Sequence, residues 1–336
     1  MAVIDVAGGR PRELQSGVRA FDIGRDLRPV AELIADAFSD ELDSRGKAAL
    51  REMRVMSHVS GLLKLMNRST GEFSDVFNGF VWEEDGRIVG NVTVQRADRY
   101  GSRWQIANVA VDSLYRGRGI ARRLMNEALS HIEANRGQWA VLQVYEHNAV
   151  ARNLYGGLGF EDIGGTVDLR LRQVPAVKAA PPIPGFTPFS SHQWQQLYEL
   201  ASVQLDTQAQ WWRAVRRADF QVTLDQQLAE WFWGRIGRNQ VYRRGIRTGR
   251  RLEAAIVLTA QQWTPPHKLQ LWIRPEHYGV YESELTQWAL ATLQDFPQYP
   301  VEASMSIEHG AGINALLGLG FEQRQTLVTM RRRVRE

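Results

Sequence analysis

Apolar residues recur along this chain with two periods, and the stretches that carry them alternate. "FNGFVWEED" (77–85) and "GRIVGNVTVQRAD" (86–98) carry apolar residues at strand spacing on either side of Gly86, which predicts a hairpin. "GVRAFDI" (17–23), "WQIANVAVD" (104–112) and "WAVLQVYE" (139–146) are also expected strands. So is "TVDLRLR" (166–172), where Val167, Leu169 and Leu171 alternate with polar residues. Helical spacing marks "LRPVAELIADAFSDEL" (27–42) and a long segment from about Arg45 to Asn67. It marks the stretch after Gly119 too, where Ile120, Leu124, Ala128 and Ile132 share one face and Gly137 is expected to end the helix. Residues 149–158 form a further helix, closed by "GGLG". Strands, helices and hairpins interleaved in this way predict a mixed α/β sheet, not a doubly wound one.

The pattern then breaks and repeats. "QVPAVKAAPPIPGF" (173–186) holds four prolines among small residues, which is linker chemistry. Beyond it, "HGAGINALLGLGFE" (309–322) lies over "NAVARNLYGGLGFE" (148–161) without a gap and matches at six of fourteen positions. "EEDGRIVGNVTVQRAD" is echoed by "IRTGRRLEAAIVLTAQQW", "IANVAVDSLYRGRG" by "LQLWIRPEHYGVYE", and "TVDLRLRQV" by "LVTMRRRV", all in the same order. Two copies of one domain are therefore expected: a loose leader at 1–16, a first module at 17–172, a linker at 173–186 and a second module at 187–336.

Composition narrows the chemistry. With 336 residues, 44% of them hydrophobic and 23% charged, the chain can bury ordinary globular cores. A net charge of +4 suggests an anionic ligand but is too small to argue for nucleic acid. No cysteine is present, so disulfides, thiolate nucleophiles and cysteine-bound zinc are excluded, and a reducing, cytoplasmic setting fits. No apolar run approaches membrane-spanning length, and no metal site is expected.

The residues with chemistry lie in "NVAVDSLYRGRGIARRLM" (108–125), where a strand turns into a helix. Glycines there bare backbone N–H groups, the first helical turn leaves more of them unpaired, and Arg116, Arg118 and Arg122 ring the spot with positive charge. A pyrophosphate suits several adjacent amides; a solvated basic loop is the plainer reading. No lysine follows as a P-loop requires, and the dinucleotide fingerprint has only its first two glycines, Gly117 and Gly119.

The stretch resembles the acetyl-coenzyme A site of the GNAT N-acetyltransferases, whose [QR]-x-x-G-x-[GA] positions are filled by Arg116, Gly119 and Ala121. A second GNAT signature is met by Asn148, Ala151, Tyr155, Gly159 and Phe160. The resemblance implies two tandem GNAT-like domains, each a mixed, mostly antiparallel sheet with a splayed central strand pair flanked by helices. It implies acetyl-coenzyme A as donor and coenzyme A as product. The pyrophosphate would rest on residues 116–121 (Arg116, Gly117, Arg118, Gly119, Ile120, Ala121), with Arg122 beside them. The pantetheine arm would lie along Val109, Ala110 and Val111, with Asn148 and Ala151 also on the donor side. Direct attack by an amine is implied, with Tyr155 as the acid that protonates the departing thiolate; its alternative role is a helix tyrosine packed on the sheet. For the base, Glu146 is chosen over His147, and a merely exposed Glu146 stands beside that choice. Asn148 also fits a helix N-cap.

The second module looks disarmed. Where the first reads "YRGRGIA", it reads "HYGVYES": Gly279 survives, Glu282 brings negative charge, Leu316 replaces the tyrosine and His309 the asparagine. Tandem architecture of this kind resembles that of the mycothiol synthases, in which the C-terminal copy is the active one, whereas here the intact motif is N-terminal. Eight of the eleven tryptophans lie beyond residue 190, which predicts mostly core positions, or else an interface or pocket wall. The expected partner is a small-molecule amine, less so a peptide, with neither nucleic acid nor membrane, in a monomer or homodimer. A coenzyme A-binding regulator without turnover and an acyltransferase for longer chains are the competing readings.

Overall fold

The computed structural model describes residues 16–38, 78–98, 100–176, 182–204, 211, 217, 220–221, 239–249 and 251–335. The expected helix at 45–67, nearly all of the leader and three of the eight late tryptophans (Trp212, Trp231 and Trp233) fall outside these residues. By packing, the chain forms two compact units. One holds residues 1–142, 156–160 and 331–336; the other holds 143–155 and 161–330.

The first unit is built on strands β1 (Gly17–Ala20), β2 (Gly79–Glu84), β3 (Arg87–Arg96), β4 (Arg103–Val111) and β5 (Trp139–Tyr145, of which 139–142 belong here), paired in that order. The β2–β3 hairpin turns at Asp85 and Gly86, both with positive φ, as the glycine there predicts. Helix α1 (Ile23–Ala37) starts earlier than the apolar period suggests, because Asp22 caps it by accepting from Gly24 N–H at 2.8 Å. This cap takes Asp22 and Ile23 out of the expected strand. Val30, Leu33 and Ile34 of α1 pack on Val81, Ile88 and Ala110 of the sheet.

Helix α2 (Ile120–Ala134) buries Ile120, Leu124, Ala128 and Ile132 as its period predicts. Its end corrects the glycine assignment. Arg136, not Gly137, takes the left-handed conformation, with φ of 60°. Arg136 N–H donates to Glu133 O at 2.9 Å and Gly137 N–H to Ile132 O at 2.8 Å, a Schellman closure. Gly137 serves space instead: a Cβ there would lie 2.4 Å from Ile132 Cγ2 and 2.6 Å from Trp104 Cδ1.

In the second unit the strand order is β7-β8-β9-β10-β11-β6-β12. The ranges are β6 (Glu161–Leu171), β7 (Phe186–Pro188), β8 (Asn239–Thr248), β9 (Arg251–Gln261), β10 (His267–Ile273), β11 (Val301–Ser306) and β12 (Glu322–Arg333, mostly in this unit). Helices α3 (Ala149–Gly156), α4 (Trp194–Gln204), α5 (Glu282–Thr292) and α6 (Gly310–Gly318) complete it. Strand β6 comes from the first module yet pairs antiparallel with β11 of the second, Leu171 opposite Val301 through Thr166 opposite Ser306. Its Val167, Leu169 and Leu171 join Val301, Ala303, Met305, Leu285 and Leu290 in one core. The last residues of the chain reciprocate: Val334 N–H donates to Gln138 O at 2.8 Å within the first unit. Packing and sequence duplication are thus drawn differently, and we propose 17–172 and 187–336 as the units of duplication. Within the linker Val174 is buried in the second unit's core.

Among the described late tryptophans none is fully buried. Trp288 lies edge-on to Phe186 and Tyr242, Trp272 meets Phe220, and Trp263 is 55% exposed. Trp288 and Trp272 pack against the apolar cores from their margins. These rings border the apolar clusters, leaving part of each in water.

Candidate functional site

The strand–loop–helix passage at 103–125 sets the geometry. β4 pairs with β5 in parallel over three residues only, Arg103–Gln105 with Trp139–Val141, although β4 runs on to Val111. Past that point its edge is free of β5, the splay implied by the family resemblance. A bulge marks the departure. Asn91 and Thr93 of β3 face Ala110 and Ala107, so β4 carries one extra residue, and Asn108 takes φ of 52°. Buried Asn91 secures the bulge by donating from Nδ2 to Asn108 O at 2.9 Å. An asparagine within an apolar strand was the available sequence signal, since asparagine adopts left-handed backbone more readily than other side chains. Val109, Ala110 and Val111 follow the bulge directly.

Asp112 then caps a 3₁₀ turn at Ser113–Tyr115, accepting from Leu114 N–H at 3.0 Å. Gly117 and Gly119 both have φ of 76°, and Gly119 is the N-cap of α2. A Cβ at either would meet no atom within 4 Å, so the turn needs glycine for its backbone conformation and leaves the space before it open. Among the described residues, the amides of Gly117 to Arg122 donate to no acceptor within the chain. Bonding resumes with Arg123 N–H to Gly119 O at 3.1 Å. Arg116 Nε donates to Val111 O at 3.1 Å, Arg118 lies over the Tyr115 ring at 4.9 Å, and Arg122 is exposed. Ile120 is buried and anchors the helix, while Ala121 is half-buried at its first turn. The first unit therefore gathers all ten proposed donor residues from Val109 to Arg122 around one cationic nest of open amides.

The remaining candidates lie in the second unit. Asn148 caps α3, its Oδ1 accepting from Ala151 N–H at 3.1 Å. Tyr155 is 6% exposed, and burial pushes its phenol up to about 12. Glu146 and His147 are exposed, with His147 stacked on Tyr145 at 5.5 Å.

The second module repeats the element order of this passage, although its helix N-cap, Tyr281, has φ of −112° where Gly119 has 76°. Its 3₁₀ turn at Pro275–His277, Gly279 and the α5 start at Glu282 each stand 162 residues beyond Ser113–Tyr115, Gly117 and Ile120. Gly279 has φ of 86°, and β10 likewise pairs with β11 over only three residues. Its register against β9, Lys268–Ile273 with Thr259–Ala254, carries no bulge.

Residues 48–160 match the model of the acetyltransferase (GNAT) family. Over 167 residues it is 30% identical to mycothiol acetyltransferase of Thermobispora bispora, covering 48% of this chain and 52% of that protein. The chain spans about half the length of the curated relatives it matches. The fold of a GCN5-related N-acetyltransferase from Sphaerobacter thermophilus is similar at a TM-score of 0.59 and 15% identity, over 95% of this chain and 96% of that one. A tandem GNAT protein from the clavulanic acid biosynthesis pathway is similar at 0.57 and 14%, over 96% and 99%. The fold is thus that of tandem GNAT proteins, mixed α/β with mostly antiparallel sheet. Among the described residues no helix is long and apolar enough to cross a membrane.

Proposed function

We propose that the chain is an acetyl-coenzyme A-dependent N-acetyltransferase whose first module holds the donor and whose acceptor is a primary amine on a small molecule. The observation that carries this reading is the nest of open amides between the bulged strand β4 and helix α2, within a GNAT domain. Its several N–H groups, the helix dipole and the exposed arginines suit a diphosphate, which offers several oxygens at once. The bulge and splay free the edge of Val109–Val111, to which an amide-bearing pantetheine arm adds like a short strand.

Bound in this way, the donor supplies an activated acetyl thioester. The acceptor nitrogen forms a bond to the acetyl carbon, the carbon–sulfur bond breaks, and the thiolate takes a proton. Tyr155 is the donor of that proton: a phenol held near 12 is fully protonated at neutral pH. Glu146, exposed at the end of β5, relays the amine's proton to solvent.

Tyr155→Phe tests the acid. Turnover is expected to fall by roughly 100-fold or more with donor affinity unchanged, read by steady-state kinetics and calorimetry. An undiminished rate ends the assignment of Tyr155. Mass spectrometry of amine and peptide panels incubated with acetyl-coenzyme A tests the reaction. Donor binding without any acetylated product would leave a coenzyme A-binding regulator.

A further inference from the structure

In the second module the corresponding nest holds an anion already, and it is part of the chain. Glu282, the first residue of α5, is 1% exposed and folds its carboxylate back onto the loop that precedes it. Gly279 N–H donates to Oε1 and Oε2, each at 2.9 Å, and Tyr281 N–H to Oε2 at 3.1 Å. His309, fully buried, closes the far side with Nε2 2.8 Å from Oε1. Gln204 Nε2 donates to Nδ1 of that ring at 3.2 Å, which leaves the Nε2 hydrogen for the carboxylate. Tyr278 stacks on the imidazole at 4.0 Å. In the first module Ile120 stands at the position of Glu282, and Asn148 at that of His309. There the asparagine caps its own helix; His309 makes no such cap bond and turns to Glu282.

We propose that Glu282 is a built-in ligand: its carboxylate occupies the diphosphate nest of the second module and, held by His309, keeps phosphoanions out. The 3₁₀ turn and the positive-φ glycine ahead of Glu282 are retained, while Tyr281, at the place of Gly119, takes φ of −112° instead of 76°. What closes the nest is a carboxylate at the one position where it reaches the amides. An external diphosphate must displace a buried, tethered and fully paired charge, which is far less favourable than filling open amides. The part concerning donor number rests on the proposed function of the first module, whereas closure of the second nest does not.

Pyrophosphate titrations followed by phosphorus NMR read the number of sites. The full-length chain should bind one equivalent, abolished by Gly119→Val. In that blocked background Glu282→Ala should regain one equivalent, at least tenfold tighter than any residual binding. Glu282→Gln should regain none, because its amide oxygen still fills the nest. Should the alanine variant fail to fold, as judged by tryptophan fluorescence, Glu282→Ile is read in the same way, since it supplies there the side chain the first module has. A folded Glu282→Ala or Glu282→Ile protein that gains no pyrophosphate overturns the proposal. If the unaltered chain binds none but Glu282→Ala gains one, the plug stands and the reading of the first module falls.

Discussion

The loops at 112–122 and 274–284 share a 3₁₀ turn and a positive-φ glycine, and differ at the helix N-cap and in what their amides face. In the first, glycine at 117 and 119 holds the turn open and the side chain that follows, Ile120, points into its own core. In the second, one carboxylate at the equivalent place satisfies the amides internally. The strand before each loop differs too: Asn108 bulges β4, and β10 runs straight. The same element order therefore leaves its amides open in one copy and fills them from one side chain in the other. Closure of a nest in a duplicated domain need not involve loss of the domain's architecture.

The comparison can be broken at several points. The largest effect is expected from Gly117→Val with Gly119→Val, which forces β-branched residues into left-handed backbone at about 1–2 kcal/mol each and covers the amides. Donor affinity measured by calorimetry should drop at least ~100-fold, while Gly279→Val leaves it unchanged. Equal losses from the two would mean that both nests serve the donor.

Next in size is an acid effect confined to the second module. Burial alone would raise the Glu282 carboxyl, but His309 and the Gly279 amide outweigh it and leave the group below the ordinary 4.5. A lowered folded value means stability that is full above the ordinary carboxylate range and lost as pH falls through the folded value. Thermal melts from about pH 6 to about pH 3 should show this loss, and Glu282→Gln should flatten the part of the slope that Glu282 contributes. An unaltered slope would show that the carboxylate is not held as described.

A smaller change is expected from Asn148→Ala, which removes the cap of α3 and should cost about 1 kcal/mol in denaturant unfolding. The mildest change sharpens the helix ends. Arg136→Gly relieves a left-handed arginine and should stabilise the chain by roughly 0.5–1 kcal/mol, raising its melting temperature by a few degrees. A destabilised Arg136→Gly protein would show that the arginine side chain contributes more than its backbone strain.

Much of the fold and of the candidate site is legible along the chain. Periods and punctuation locate the strands, the buried face of α2 and the Arg-Gly turn, because apolar spacing and glycine content act over a few residues. Asn148 is readable as a cap for the same reason. The bulge at Asn108 and the anchoring role of Asn91 were less visible, since they depend on which strand lies alongside. Gly137 was misassigned because glycine serves both left-handed turns and close packing, and only the positions of Trp104 and Ile132 tell which.

What the sequence alone determined is local: two copies of one element order, a glycine turn with open amides at the start of α2, and a second copy stripped of its arginines and tyrosine. The tertiary structure decided what is not local. Alternating Val167, Leu169 and Leu171 specify a strand with one buried face but no partner, so β6 could pair with β11 of the other module only once both cores were assembled. Glu282 could be read as a repulsive charge, yet its meeting with His309, 27 residues on, is a matter of folding. Side-chain chemistry is written residue by residue, whereas pairing is a choice among distant segments made by the area they bury together.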